Sequence, residues 1–143
     1  MEIITVTGKD GAGKTPLISD IYDELKNIGK VEIPMKIEGK DKRDFKALVV
    51  YNNKRIAFCS IGDPADANHI LIEYVLRGII FASKNTADIL INAYRIEDND
   101  FSQFKEFPKQ LFEKLLGDTV IITEKKLDNN SDEIKNFIRS KLK

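Results

Sequence analysis

Gly8-Lys9-Asp10-Gly11-Ala12-Gly13-Lys14-Thr15 holds, in one short stretch near the amino end, the residue types most able to do chemistry. Its spacing is a glycine, four residues, then Gly-Lys-Thr. Gly8, Gly11 and Gly13 lack the Cβ that would forbid a tight curl, so successive backbone N–H groups can turn inward and form a concavity for anionic oxygens. Lys14 adds a full positive charge aimed at β- and γ-phosphates. Thr15 adds a hydroxyl able to ligate a hard cation such as Mg2+. A helix starting at this point would bring the positive end of its dipole to the same place. The chemistry these residues suit is the capture of a polyphosphate tail, with Gly8, Lys9, Asp10, Gly11, Ala12 and Gly13 as the cradle.

The flanking residues supply the elements that must position the cradle. Ile3, Ile4 and Val6 form an apolar strand before it, and Leu17, Ile18, Ile21, Leu25 and Ile28 follow at helical spacing. With strand, glycine loop and helix in this order, the chain resembles the P-loop nucleoside triphosphatase superfamily, and residues 8–15 are similar to its Walker A sequence. The resemblance implies a three-layer α/β/α fold over residues 1–143 as one domain, with a mostly parallel sheet and one antiparallel hairpin strand. It implies a nucleoside triphosphate ligand, ATP first and GTP as the alternative, with Mg2+ at Thr15. Lys9 and the residues after it also resemble the deviant Walker A pattern of partition and septum-positioning ATPases, although Asp10 stands where glycine is usual. That likeness implies a homodimer in which Lys9 reaches the partner's nucleotide, whereas loop lysines in general are exposed and solvated. Asp-Gly-Ala-Gly-Lys-Thr is equally similar to the phosphate loop of thymidylate kinases. In this fold the residue after Lys-Thr normally gives an N–H to the α-phosphate, and Pro16 has none to give, which predicts a looser grip there.

Composition narrows the classes. Lysine and arginine total 23 against 23 acids, so no net field draws the chain to nucleic acid or to anionic lipid. The single cysteine, Cys59, excludes an intrachain disulfide, and no apolar run is long enough to span a bilayer. These features predict a soluble cytoplasmic protein without a second module.

Along the chain, Gly29 reads as a C′ helix stop, and Val31 to Ile33 as a short strand. From Met35 to Asp44 the sequence is rich in lysine and acids and reads as a mobile surface loop. GTPases place a Mg2+-binding threonine in a segment following the first helix; this stretch has neither threonine nor serine. Ala47 to Tyr51 and Arg55 to Ile61 are strands joined at Asn52-Asn53, a pair suited to a type I′ hairpin. Pro64 to Ser83 predicts a helix with an apolar surface wider than one stripe. His69 has no partner at metal-ligand spacing. Ala87 to Arg95 predicts a buried strand, Phe101 to Leu116 a helix strained at Pro108, Thr119 to Thr123 a last strand, and Asn130 or Ser131 the cap of a final helix.

In open α/β sheets, ligands sit outside the carboxyl ends of the parallel strands. That edge should gather the glycine loop, Asp63, Asn92 to Arg95, and Glu124 to Asp128. Asp63, after the second hairpin strand, is the candidate acid for a Mg2+ water and is also placed to cap the helix starting at Pro64. Arg95 is the arginine best placed for a γ-phosphate, with Arg77 behind it. Lys125-Lys126-Leu127-Asp128 occupies the place of the guanine-reading Asn-Lys-x-Asp of GTPases, with lysine where asparagine should be. Three functions fit: a Mg2+-dependent NTP hydrolase using Lys14, Thr15, Asp63 and Arg95; a small nucleotide or metabolite kinase; and a nucleotide-dependent binding module without turnover.

Overall fold

In the computed structural model, residues 1–9, 11–38, 44–60, 68–96 and 106–143 are described. Asp10, Asp63 and Asp66 lie outside these residues, as do the expected starts of the helices at Pro64 and Phe101. The described elements run, in chain order, β1 (Glu2–Gly8), α1 (Lys14–Ile28), β2 (Lys30–Glu38), β3 (Asp44–Tyr51), β4 (Lys54–Cys59), α2 (Asn68–Lys84), β5 (Ile89–Arg95), α3 (Lys109–Leu116), β6 (Ile121–Lys126) and α4 (Ser131–Leu142).

The strands form one six-stranded mixed sheet in the order β2-β3-β4-β5-β1-β6. Strand β1 pairs in parallel with β5 on one side and β6 on the other, and β4 is parallel to β5. Strand β3 runs against both β4 and β2. The helices cover both faces. Ile4 and Val6 of β1 pack with α1 and α4, while Ile3 packs with α2 and α3, as the period-2 alternation of a strand requires.

The hairpin forms as its sequence predicts, with Asn52 at φ 51° and Asn53 at φ 60° between antiparallel partners. Four other expectations are corrected. Residues 35–38 are not loop but the end of β2, and Asp44 opens β3, because the whole of β2 pairs along β3 across two register shifts. Pro34 sits among these shifts on the edge strand, where a missing N–H costs no ladder bond. Gly29 does end α1, its amide donating to the Leu25 carbonyl at 2.7 Å, but it stands at the C-cap in an extended conformation (φ −112°, ψ −170°) and not at a left-handed C′. What requires a glycine there is proximity, since a Cβ would stand 2.7 Å from the Val50 carbonyl oxygen. Pro108 stands at the N-cap of α3 and strains no helix middle, in keeping with its fixed φ and missing N–H. Strand β6 starts at Ile121 and runs on to Lys126, so Glu124, Lys125 and Lys126 belong to the sheet beyond the expected end at Thr123.

Candidate functional site

The glycine loop lies where β1 hands over to α1, and its backbone takes conformations that only its glycines make easy. Gly11 (φ 75°) and Gly13 (φ 97°) are both left-handed, so a side chain at either would be strained. The Ala12 amide donates to the Lys9 carbonyl at 3.1 Å and closes the bend. Both flanking strands grip its root: the Ile96 amide donates to the Gly8 carbonyl at 2.8 Å, and the Leu127 amide to the Thr7 carbonyl at 2.7 Å.

Lys14 is only 6% exposed. Its ammonium donates to the Gly8 carbonyl at 3.2 Å and to the Lys9 carbonyl at 2.8 Å, so the charge lies across the inside of the bend. A buried ammonium is tolerable only with such partners. Gly13, the N-cap of α1, makes no side-chain capping bond, and the first turn carries no acid. The first amides of any helix have no acceptor one turn back, and no acid within the first turn of α1 opposes an incoming anion. Pro16 is exposed in that turn.

Thr15 makes the contact that sequence reasoning missed. Its hydroxyl donates to Asp44 Oδ1 at 2.9 Å, and the Ser60 hydroxyl approaches the same oxygen at 3.5 Å. Ser60 is itself fixed, because its Oγ accepts the Phe45 amide at 2.9 Å and its amide donates to the Phe45 carbonyl at 3.0 Å. Adjacent ligands of an octahedral Mg2+, each at 2.0–2.1 Å, are separated by about 2.9 Å. Thr15 Oγ1 and Asp44 Oδ1 stand at that separation, which is also that of the hydrogen bond between them, and hydroxyl and carboxylate oxygens are the donors this cation prefers. Among the described residues no cluster of three or more histidine, cysteine or acidic side chains could hold a metal. A Mg2+ at Thr15 and Asp44 would take its other ligands from water and phosphate, the usual arrangement for this ion.

Arg95 stands level with Gly8 in the parallel ladder, so its backbone adjoins the root of the loop. Arg77 instead pairs with Glu73 at 2.8 Å on an exposed face of α2. Lys125 lies 4.1 Å from the centre of the Phe137 ring. Asp128 joins Lys9, Ala12, Lys126, Leu127 and Asn129 around an open depression of ≈ 190 Å³ beside the loop. Behind the loop, Tyr94 is level with Thr7, and burial pushes its hydroxyl pKa up to about 12.

The structure thus gathers Gly8, Lys9, Gly11, Ala12, Gly13, Lys14, Thr15, Asp128 and the Arg95 backbone at one edge of the sheet, and adds Asp44 and Ser60. One signal could have revealed Asp44. Counting back from Asn52-Asn53 along an antiparallel pair brings the start of β3 level with the end of β4, at the carboxyl edge.

Fold and site define an α/β protein with a mixed six-stranded sheet and a glycine loop at the carboxyl end of an internal strand. In comparisons with family models, curated proteins and solved structures, nothing matches this chain.

Proposed function

We propose that this chain is a P-loop nucleoside triphosphate-binding protein that uses Mg2+ and hydrolyses the β–γ phosphoanhydride. The observation that carries the reading is the loop itself. Two left-handed glycines, a helix start with no acid in its first turn, and the Lys14 ammonium held on the Gly8 and Lys9 carbonyls stand together within residues 8–15. Thr15 and Asp44 would hold the metal, which supplies charge neutralisation on the phosphates when bound. Lys14 exchanges its carbonyl partners for phosphate oxygens and stabilises the charge that develops on them. In the reaction a water oxygen bonds to the γ-phosphorus, the bond to the β–γ bridging oxygen breaks with its electron pair going to the nucleoside diphosphate, and the water's protons pass to the inorganic phosphate and to solvent as both products leave.

Asp128 at the depression supports GTP beside ATP as the ligand, since a carboxylate can accept the N–H donors of a guanine edge. A second reading, binding without turnover, is supported by the Thr15–Asp44 contact. It commits the described carboxylate nearest the loop threonine to the metal, and a water would need another group to orient it.

Melting with Mg-ATP, Mg-GTP and no nucleotide tests the ligand. At 100 times the dissociation constant, the fold should gain about 2.7 kcal/mol. No shift with either nucleotide ends the reading. Phosphate release that vanishes in Lys14→Ala supports hydrolysis, while a shift without release supports the binding module. For the metal, Asp44→Asn should raise the Mg2+ concentration needed for nucleotide binding about 10-fold or more, equivalent to about 1.4 kcal/mol. An unchanged Mg2+ dependence would remove Asp44 from the site.

A further inference from the structure

The two edges of the sheet are finished differently. Strand β2 closes one edge with Pro34, which has no N–H to offer an incoming strand, and with two register shifts against β3. Proline and irregularity keep an edge from pairing further. Strand β6 closes the other edge without either. It runs level with β1 from Ile121 to Lys126 with no shift, and among the described residues no strand lies outside it.

The register shows which main-chain groups of β6 face outward. The Ile121 amide donates to the Met1 carbonyl at 3.2 Å and the Leu127 amide to the Thr7 carbonyl at 2.7 Å, so odd-numbered residues turn their peptide groups to β1. The alternate residues Ile122 and Glu124 direct theirs off the sheet. Apolar surface borders the same edge. Ile122 packs in the cluster under α2 and α3, so Ile121 stands on the opposite face, where it is 65% exposed. Helix α3, which packs against β6, exposes Leu111 and Leu115.

We propose that the β6 edge docks a second copy of this chain, β6 pairing antiparallel with β6 about a twofold axis. Such a contact sets each residue against a fixed partner, and hydrogen bonding requires outward groups to meet outward groups, even-numbered residue against even-numbered. Few registers comply. An axis at Glu124 sets two carboxylates face to face and an axis at Lys125 two ammonium groups, and like charges directly opposed are unfavourable. An axis at Thr123 has neither fault and keeps Ile121 to Lys125 in the ladder, whereas an axis at Ile122 shortens it. With Thr123 on the axis, Ile122 exchanges main-chain bonds with the partner's Glu124, and two threonines meet in a favourable cross-strand pair. Ile121 stands opposite the partner's Lys125. In each chain that lysine's ammonium lies 4.1 Å from the centre of the partly buried Phe137 ring, so the exposed isoleucine meets a lysine stem beside an aromatic ring. The pairing also reverses the two sheets end for end. The glycine loops open on opposite edges, and Lys9 stays with its own loop. None of this depends on the nucleotide reading.

Sedimentation equilibrium on the full chain, from about 10 μM to about 1 mM, should find a reversible dimer. A monomer throughout overturns the proposal. Ile121→Lys sets lysine against the partner's Lys125 and should weaken the dimer about 10-fold or more. Ile121→Glu sets an opposite charge there and should stay within about 5-fold of the parent. Equal effects of the two overturn the proposal. Thr123→Cys should join two copies by a disulfide on oxidation, because residues opposed at a non-hydrogen-bonded pair stand about 4.5 Å apart at Cα. Lys125→Cys should not, and cross-linking by it in place of Thr123→Cys overturns the register. Glu124→Pro removes an outward N–H and should abolish the dimer while the chain still melts cooperatively. A dimer that survives in a folded Glu124→Pro chain overturns edge pairing, and should that variant fail to fold, the two Ile121 variants decide.

Discussion

The two faces of the sheet are built differently. Toward α1 and α4 the cover is largely apolar, with Tyr22, Phe45 and Phe58 in mutual ring contact at 5.6–6.4 Å and the buried Lys14 of α1 as its charged exception. The helices there are tied by ion pairs from Asp20 to Lys135 and from Glu24 to Arg139. Toward α2 and α3 a polar row crosses the strands: Cys59, Asn92 and Thr5 stand level on β4, β5 and β1. Thr5 donates to Asn92 Oδ1 at 2.7 Å, while Asn92 Nδ2 and Thr7 Oγ1 are buried without a hydrogen-bond partner among the described residues. A buried polar atom left unpaired costs about 1–3 kcal/mol. The first face therefore anchors α1, and with it Lys14 and Thr15, on tightly packed rings. The second carries unspent hydrogen-bonding capacity directly beneath the strand ends.

This contrast can be broken from either side. The largest effect should come from Phe58→Ala on the apolar face, where a fully buried ring touches two others. A loss of about 3–5 kcal/mol is expected in urea unfolding, and a loss below about 1 kcal/mol would show that the ring cluster is not what anchors α1.

On the other face, Gly78→Ala places a Cβ 3.0 Å from Cys59 Sγ and should cost about 1–3 kcal/mol. Combined with Cys59→Ala, the cost should be partly recovered, and strict additivity in the double-mutant cycle would deny the contact. Thr5→Val should cost about 1–3 kcal/mol by stripping Asn92 of its donor. Thr5→Val with Asn92→Leu removes both partners and should come close to the parent, which would show that the polar row lends the fold no net stability.

The smallest effect concerns the ion pair between the helices. The Arg139 guanidinium donates to Glu24 and holds its carboxyl below the usual range. Because the folded pKa lies below the unfolded one, the pair's contribution is complete above the ordinary glutamate range and fades as pH falls through the lowered folded value. Both side chains are well exposed, so the contribution should stay within about 1 kcal/mol. Glu24→Gln should flatten that acid limb of the stability profile and leave neutral and alkaline stability nearly unchanged.

Much of this architecture was legible because its causes are local. Asn52-Asn53 foretold the hairpin through the tolerance of asparagine for positive φ, and the apolar spacing after Thr15 foretold α1. Other features were hidden because their causes are contacts with distant residues. Gly29 reads as a helix stop from its neighbours, yet the Val50 carbonyl is what forbids a side chain there. Residues 35–38 look like loop by composition, but pairing with β3 makes them strand.

For the site, the sequence alone determined the curl of the loop, since only Gly11 and Gly13 adopt those left-handed angles without strain. It also determined that a lysine and a hydroxyl follow that curl. Only the tertiary structure decided which acid meets the hydroxyl. The reversal of β3 brings Asp44 to the sheet edge where the parallel strands end, while a reading of parallel strand ends alone looks to Asp63. Only the tertiary structure, too, placed Lys9 against the turn after β6, because parallel pairing of β1 with β6 joins residues that the chain holds more than a hundred positions apart. Local conformation follows from neighbouring residues, and the meeting of distant side chains follows from strand direction and register.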